Sequence, residues 1–318
     1  VGRWLLPSIS IWEAALLAAL LAPTDAALGQ AVVSAREVPV RIRQAINVES
    51  GLNDGIVLPA VLLFAALASV SGETTHARSW VQFVLLQLSL GPLTGVVLGF
   101  AGARLLDAAA ERGWATTAFQ GIGILALTIL TYLVAELIGG NGFIAAFIGG
   151  MVFGNCLRHP CTFLFEFMET EGQLLMLITF FVFGAALLPE AIEHLEPVYF
   201  VYALLSLTFI RMMPVAISMI GARVSLPTQL FLGWFGPRGL ASILFVLLIM
   251  EEADVPHYEM LLSITMITVA LSTLLHGVTA APFARRDGAL SARMGACAEN
   301  EPAPELPLRD GMMSTTDQ

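Results

Sequence analysis

The sequence predicts an all-α polytopic membrane protein, and three observations carry that prediction. Of 318 residues, 57% are hydrophobic and only 13% charged, where a soluble domain is charged at about 25%. The apolar residues fall into long stretches, each near the ~20 residues a helix needs to cross a bilayer. The charges collect between those stretches, and all 15 basic residues are Arg. An ordinary soluble globule, a disordered chain and a nucleic-acid binder are excluded together, since a formal net charge of −10 does not neutralise phosphates. Cys156, Cys161 and Cys297 have neither disulfide-framework nor zinc-site spacing.

Nine stretches qualify as spans: 9–33, 44–70, 82–107, 117–138, 141–157, 171–189, 197–221, 228–250 and 258–280. The first is interrupted at Pro23-Thr24-Asp25, and the second carries a polar cluster from Glu49 to Asp54. The fourth and fifth are separated only by Gly139-Gly140-Asn141 and read as a tight hairpin. The eighth is interrupted at Gly236-Pro237-Arg238-Gly239. Residues 1–284 thus form a transmembrane domain. Residues 285–318, rich in Pro, Glu, Asp and Ser without apolar period, are expected to be a disordered cytoplasmic tail. The chain starts at Val1 and shows no signal-peptide pattern, so the expectation is an N-terminal truncation.

Arginines orient the spans. Arg36, Arg41, Arg43, Arg104, Arg112, Arg158, Arg223, Arg285, Arg286 and Arg293 fall on one side, which is read as cytoplasmic. The opposite loops carry Glu73, Glu190, Glu193, Glu196, Glu251, Glu252 and Asp254, with Arg78 the one arginine among them. The chain enters from outside and ends inside.

Ionisable residues within a span cost ~2.5–3.5 kcal/mol each on insertion scales, so each needs a partner or a task. Helical spacing places Glu49 with Asn53, and Ser50 with Asp54, one turn apart on one polar stripe. Gly51 and Gly55 add a smooth patch for a close backbone. Two carboxylates make this stripe poor helix glue, which is the bland reading. Pro23 removes a backbone donor and opposes the preceding turn, so the first span should break beside Asp25. The matching break at Gly236, Pro237, Arg238 and Gly239 makes two charged interruptions, which read better as broken helices lining a cavity than as two kinks. Span one runs inward and span eight outward, each followed by one further span. That is the pattern of an inverted repeat with broken helices near the midplane. The last five spans make a whole repeat and the first two the remainder of another, so about three helices are expected to be missing.

Arg211 lies mid-span and stays charged; Glu49 is its best partner, leaving Asp54 free. Arg238 either complements helix C-terminal carbonyls or holds a carboxylate. Glu136 lines an outer vestibule or meets headgroups. Glu166, Glu169 and Glu171 read as a solvated cluster. His76, His159, His194 and His257 fall near loops and His276 stands alone in span nine, with no resident-metal spacing.

A buried carboxylate beside an amide, where two broken helices cross, suits a small monovalent cation, because carboxylate, hydroxyl and freed carbonyl oxygens are hard ligands. The same carboxylate can bind a proton. If cation and proton compete for Asp54, exchange follows without ATP, and no P-loop or dinucleotide fingerprint is present.

At these residues the sequence resembles a known family. Glu49-Ser50-Gly51-Leu52-Asn53-Asp54-Gly55, Pro23-Thr24-Asp25, Gly236-Pro237-Arg238-Gly239, Arg211 with Pro214 and Val215, and Gly142-Phe143-Ile144-Ala145-Ala146-Phe147 with Gly149-Gly150 are together similar to motifs of the monovalent cation:proton antiporter-1 family. The family includes the bacterial NhaP-type sodium/proton exchangers. The resemblance covers roughly residues 9–281 and departs at Ala26, where a proline is usual. It implies about nine helices of a thirteen-helix inverted-repeat fold, a homodimer, and a moving core bundle in a bacterial inner membrane. It implies that Asp54 binds cation and proton in turn, helped by Asn53, Asp25, Thr24 and Ser50, and that Glu49 pairs with Arg211. Asp54 and Asp25 would hold the transported cation. Asn53 in place of a second Asp implies electroneutral exchange. No cofactor is implied beyond the transported Na+ and H+, with K+ or Li+ as rival cations. The alternatives are a gated cation channel or sensor and an inactive truncated antiporter. An intramembrane aspartyl protease on Asp25 and Asp54 is disfavoured, because hydrolysis needs neither inverted broken helices nor a compensating arginine.

Overall fold

The computed structural model describes residues 1–25, 28–33, 35, 37–69, 77–114, 116–158, 162–222, 224–252 and 254–294, and among these every regular element is helical. In chain order they are α1 (Gly2–Leu5), α2 (Ile11–Leu20), α3 (Gln30–Val33), α4 (Val40–Ala68), α5 (Ala77–Glu111), α6 (Thr117–Leu137) and α7 (Gly142–Cys156). Then come α8 (Thr162–Val182), α9 (Leu188–Glu193), α10 (Pro197–Leu205), α11 (Arg211–Ser218), α12 (Leu226–Trp234), α13 (Leu240–Glu252) and α14 (Tyr258–Met294). One-turn π segments, Phe183–Leu187 and Ser206–Ile210, join α8 to α9 and α10 to α11.

Among the described residues, six helical stretches are long and apolar enough to cross a membrane: Val40–Ala68, Gln82–Glu111, Phe119–Leu137, Thr170–Glu193, Pro197–Ser218 and Tyr258–Ser291. Shorter apolar helices, Ile11–Leu20, Gly142–Cys156 and Leu240–Met250, fall in the other predicted stretches. Two of these three belong to the interrupted spans, where each helical piece alone is too short to cross. The all-α polytopic expectation therefore holds.

The described chain divides into two compact units. The first comprises the described residues of Val1–Thr74 and Ile178–Ala303. Its α2 begins with a reciprocal cap: Glu13 N donates to Ser10 Oγ at 3.1 Å, and Ser10 N donates to Glu13 Oε2 at 2.7 Å. An apolar cluster of Val32, Val38, Ile42, Ile46, Phe231, Leu232, Phe235, Ala280 and Ala284 fastens α3, the start of α4, α12 and the end of α14 together.

The second unit is the described part of Thr75–Leu177. Here Gly91, Gly95 and Gly99 recur every four residues along α5 and face α7. A β-carbon on Gly95 would lie 2.5 Å from the Ala145 carbonyl oxygen and 2.9 Å from Gly149 N. Only glycine allows that approach, the small-residue packing expected where apolar lipid supplies no drive for helix association. The hairpin between α6 and α7 turns at Gly139, whose φ is +79°. Asn141 Oδ1 accepts from Ile144 N at 3.0 Å.

Glu136 is exposed, and its Oε1 accepts from Gly142 N at 2.8 Å and so caps α7. One expectation is corrected. The tail does not begin at 285, because α14 continues to Met294 with Asp287 and Ser291 buried. Polar composition hid this turn of helix, which is held by packing. Residues 295–318, and the side chains of Glu166 and Glu169, lie outside the described residues.

Candidate functional site

Both predicted interruptions are breaks in helix. α2 stops at Leu20, its last turn closed by Leu21 N to the Leu17 carbonyl and Ala22 N to the Ala19 carbonyl, and residues 22–25 leave the helix; α12 stops at Trp234, and α13 resumes at Leu240. The two non-helical segments meet backbone to backbone. Asp25 N donates to the Pro237 carbonyl at 2.8 Å. Arg238 Nη1 donates to the carbonyls of Ala22 and Pro23 at 2.7 and 3.1 Å. In a bilayer these carbonyls would otherwise lack a donor. Arg238 therefore serves the freed carbonyls of the first break.

Asp25 closes the crossing from the other side. Its Oδ2 accepts from Leu240 N at 3.1 Å, at the positive end of α13, and its Oδ1 accepts from Leu28 N at 3.3 Å. A β-carbon on Gly239 would collide with this carboxylate, and one on Gly236 would collide with the Arg211 guanidinium. The glycines flanking Pro237 and Arg238 thus make room for the two charges.

α4 lays the polar stripe along the first break. Ser50 Oγ donates to the Thr24 carbonyl, and Asn53 Nδ2 donates to Thr24 Oγ1 at 3.5 Å. One turn from Asn53, Glu49 Oε1 accepts from Arg211 Nη1 at 2.6 Å. Arg211 opens α11 directly after the π segment Ser206–Ile210. Such a one-residue widening re-aims the following side chains and is frequent at functional sites. Half-buried Asp54 lies within electrostatic reach of Asp25, and its Oδ1 is buried with no hydrogen-bond partner among the described residues. The structure thus separates the two aspartates: Asp25 is tied to backbone N–H groups, and Asp54 keeps an open oxygen.

Two further polar pairs were not read from the sequence. His276 is not isolated. Its Nε2 meets the Trp234 carbonyl at 2.8 Å, and its Nδ1 meets the Ser272 hydroxyl and carbonyl at 3.1 and 2.8 Å. The signal was a stripe of Thr265, Thr268, Ser272 and His276 at helical spacing, all buried on α14. His257 Nδ1 lies 2.7 Å from Glu13 Oε1, joining the loop before α14 to the start of α2.

Two interrupted helices thus cross in an all-helical polytopic chain with charges at both breaks, an arrangement that recurs in membrane-transporter folds. The family model for the sodium/hydrogen exchanger transmembrane domain matches residues 1–286, and the chain belongs to that family. The K+/H+ antiporter NhaP of Alkalimonas amylolytica is 26% identical over 273 residues, covering 85% of this chain and 46% of that protein. A probable Na+/H+ antiporter of Schizosaccharomyces pombe is 24% identical over 272 residues, covering 79% of this chain and 35% of that one. The chain thus spans less than half the length of these curated relatives. The solved structure of the sodium proton antiporter MjNhaP1 from Methanocaldococcus jannaschii aligns over 86% of this chain and 70% of that one, with a TM-score of 0.66 at 18% identity. That likeness shows a common fold.

Proposed function

We propose that this protein exchanges a monovalent cation, Na+ or its rivals K+ and Li+, for H+ across the membrane, with Asp54 binding cation and proton in turn. The observation that carries the reading is the open, buried Oδ1 of Asp54 on the helix whose Ser50 and Asn53 bind the first break. Carboxylate, amide and hydroxyl oxygens are hard donors suited to an alkali cation. Proton and cation cannot occupy one carboxylate together, so each crossing carries one or the other. Asn53, neutral where a second carboxylate would add charge, supports electroneutral exchange. Glu49 and Arg211 neutralise each other beside the site, which leaves Asp54 as the titrating group. The relatives named for potassium and for sodium make both cations substrates to test. Asp25 and Thr24 shape the crossing, and Asp25 contributes charge toward the cation. The protein works as a homodimer in a bacterial inner membrane, with the end of α14 cytoplasmic.

The test is a proteoliposome assay with an acid interior and a pH-sensitive dye. Sodium, potassium or lithium added outside should dissipate the gradient saturably in the parent protein and not in Asp54→Asn. Full activity in Asp54→Asn rejects the assignment. Voltage-driven, non-saturating flux would instead support a channel.

A further inference from the structure

We propose that His276 and Ser272 of α14 are positioning residues that hold the second helix break in register with the first. This rests on the transport reading only for its consequence on cation affinity; the positioning itself stands on geometry.

The break leaves backbone groups without helical partners where water is excluded. α14 reaches both sides of the break from one turn. His276 Nε2 meets the Trp234 carbonyl, the last of α12, at 2.8 Å, where Gly236 N also donates at 2.9 Å. Ser272 Oγ accepts from Arg238 N, inside the break, at 2.7 Å. The two side chains also bond each other, Ser272 Oγ to His276 Nδ1 at 3.1 Å. Carbonyl oxygens lie against both ring nitrogens, Trp234 O against Nε2 and Ser272 O against Nδ1 at 2.8 Å each, so a neutral ring donates to one of the two, while Arg238 N donates to the Ser272 hydroxyl oxygen. Both side chains are almost fully buried, at 2% for His276 and 0% for Ser272. The indole of Trp234 is fastened to the same helix, its Nε1 donating to Thr279 Oγ1 at 2.9 Å.

What the clamp holds is the residue that spans the crossing. The Arg238 backbone is fixed by Ser272, and its guanidinium donates to Ala22 and Pro23. The neighbouring Pro237 carbonyl receives Asp25 N, and Asp25 receives Leu240 N. A chain of hydrogen bonds thus runs from α14 through the second break to the first, and on to the Thr24 atoms that Ser50 and Asn53 contact. His276 and Ser272 touch no transported ion in this arrangement; they act through Arg238 and Trp234.

The test compares His276→Leu, Ser272→Ala and His276→Gln with the parent protein. Gln retains an amide donor for Trp234 and an acceptor for Ser272. Hydrogen–deuterium exchange should quicken in peptides covering residues 20–25 and 234–240 of the Leu and Ala variants, with other helices unchanged, and return toward the parent in the Gln variant. In proteoliposomes the half-saturating cation concentration should rise about three- to tenfold in His276→Leu and Ser272→Ala, the range one lost hydrogen bond commands, with Gln restoring it. Parent-like local exchange in both disrupting variants overturns the proposal. So does exchange that quickens throughout the protein, which marks a merely structural role, or a Gln variant as impaired as Leu. A parent protein without cation-dependent flux, together with localised exchange changes, would overturn the transport reading and leave the clamp standing.

Discussion

The carboxylate of Asp25 occupies the space in which a β-carbon on residue 239 would lie, so Gly239 is what lets the two helix breaks meet. Gly239→Ala should therefore displace Asp25 from Leu240 N. The expected cost is about 1–3 kcal/mol, the range for an unsatisfied buried group, read from unfolding in detergent. In an Asp25→Gly background the same substitution should cost little, because the colliding Oδ2, Cγ and Cβ atoms are gone. Equal costs in both backgrounds would contradict the relationship.

The ion pair of Glu49 and Arg211 is asymmetric, with side-chain exposures of 33% and 8%. Removing the more buried partner leaves a carboxylate that water partly reaches; removing the other strands a guanidinium. Both Arg211→Ala and Glu49→Ala should destabilise, and Glu49→Ala more, toward the ~3–5 kcal/mol typical of a broken buried pair. Thermal melts of the two variants decide the order.

Within the α5–α7 unit, Gly95→Ala should cost about 1–3 kcal/mol, since its β-carbon meets backbone that has nowhere to go. Gly123→Ala on α6 is the contrast: its β-carbon meets nothing within 4 Å. Helix propensity alone should make it neutral or stabilising by about 0.5–1 kcal/mol. Paired unfolding curves test both signs.

Glu13 serves as a helix cap and as the partner of His257. Ser10→Ala should lose only the cap, about 1 kcal/mol. Glu13→Ala should cost more, because it also releases the loop before α14. Limited proteolysis of that loop should quicken in Glu13→Ala and not in Ser10→Ala.

Much of this architecture was legible because bilayer physics leaves few options. Long apolar stretches must be helices, and Pro23 and Pro237 mark where they fail. The stripe of Glu49, Ser50, Asn53 and Asp54 was legible for the same reason, since charge inside a span demands a partner. Three features were not legible. Asp25 and Asp54 are the same residue type in similar apolar runs, and only the fold shows that backbone N–H groups bind one of them. His276 looked solitary because the backbone it reaches, at Trp234, lies far off in sequence. The last turns of α14 looked like tail because packing, rather than apolar period, keeps Asp287 and Ser291 inside.

The central claim is that proton and cation compete for Asp54. The most direct measurement adds sodium or potassium to the purified protein in a weakly buffered solution and follows proton release with a pH-sensitive dye. The account predicts saturable release from the parent and none from Asp54→Asn. Equal release from Asp54→Asn would place the exchanging proton elsewhere and contradict the account.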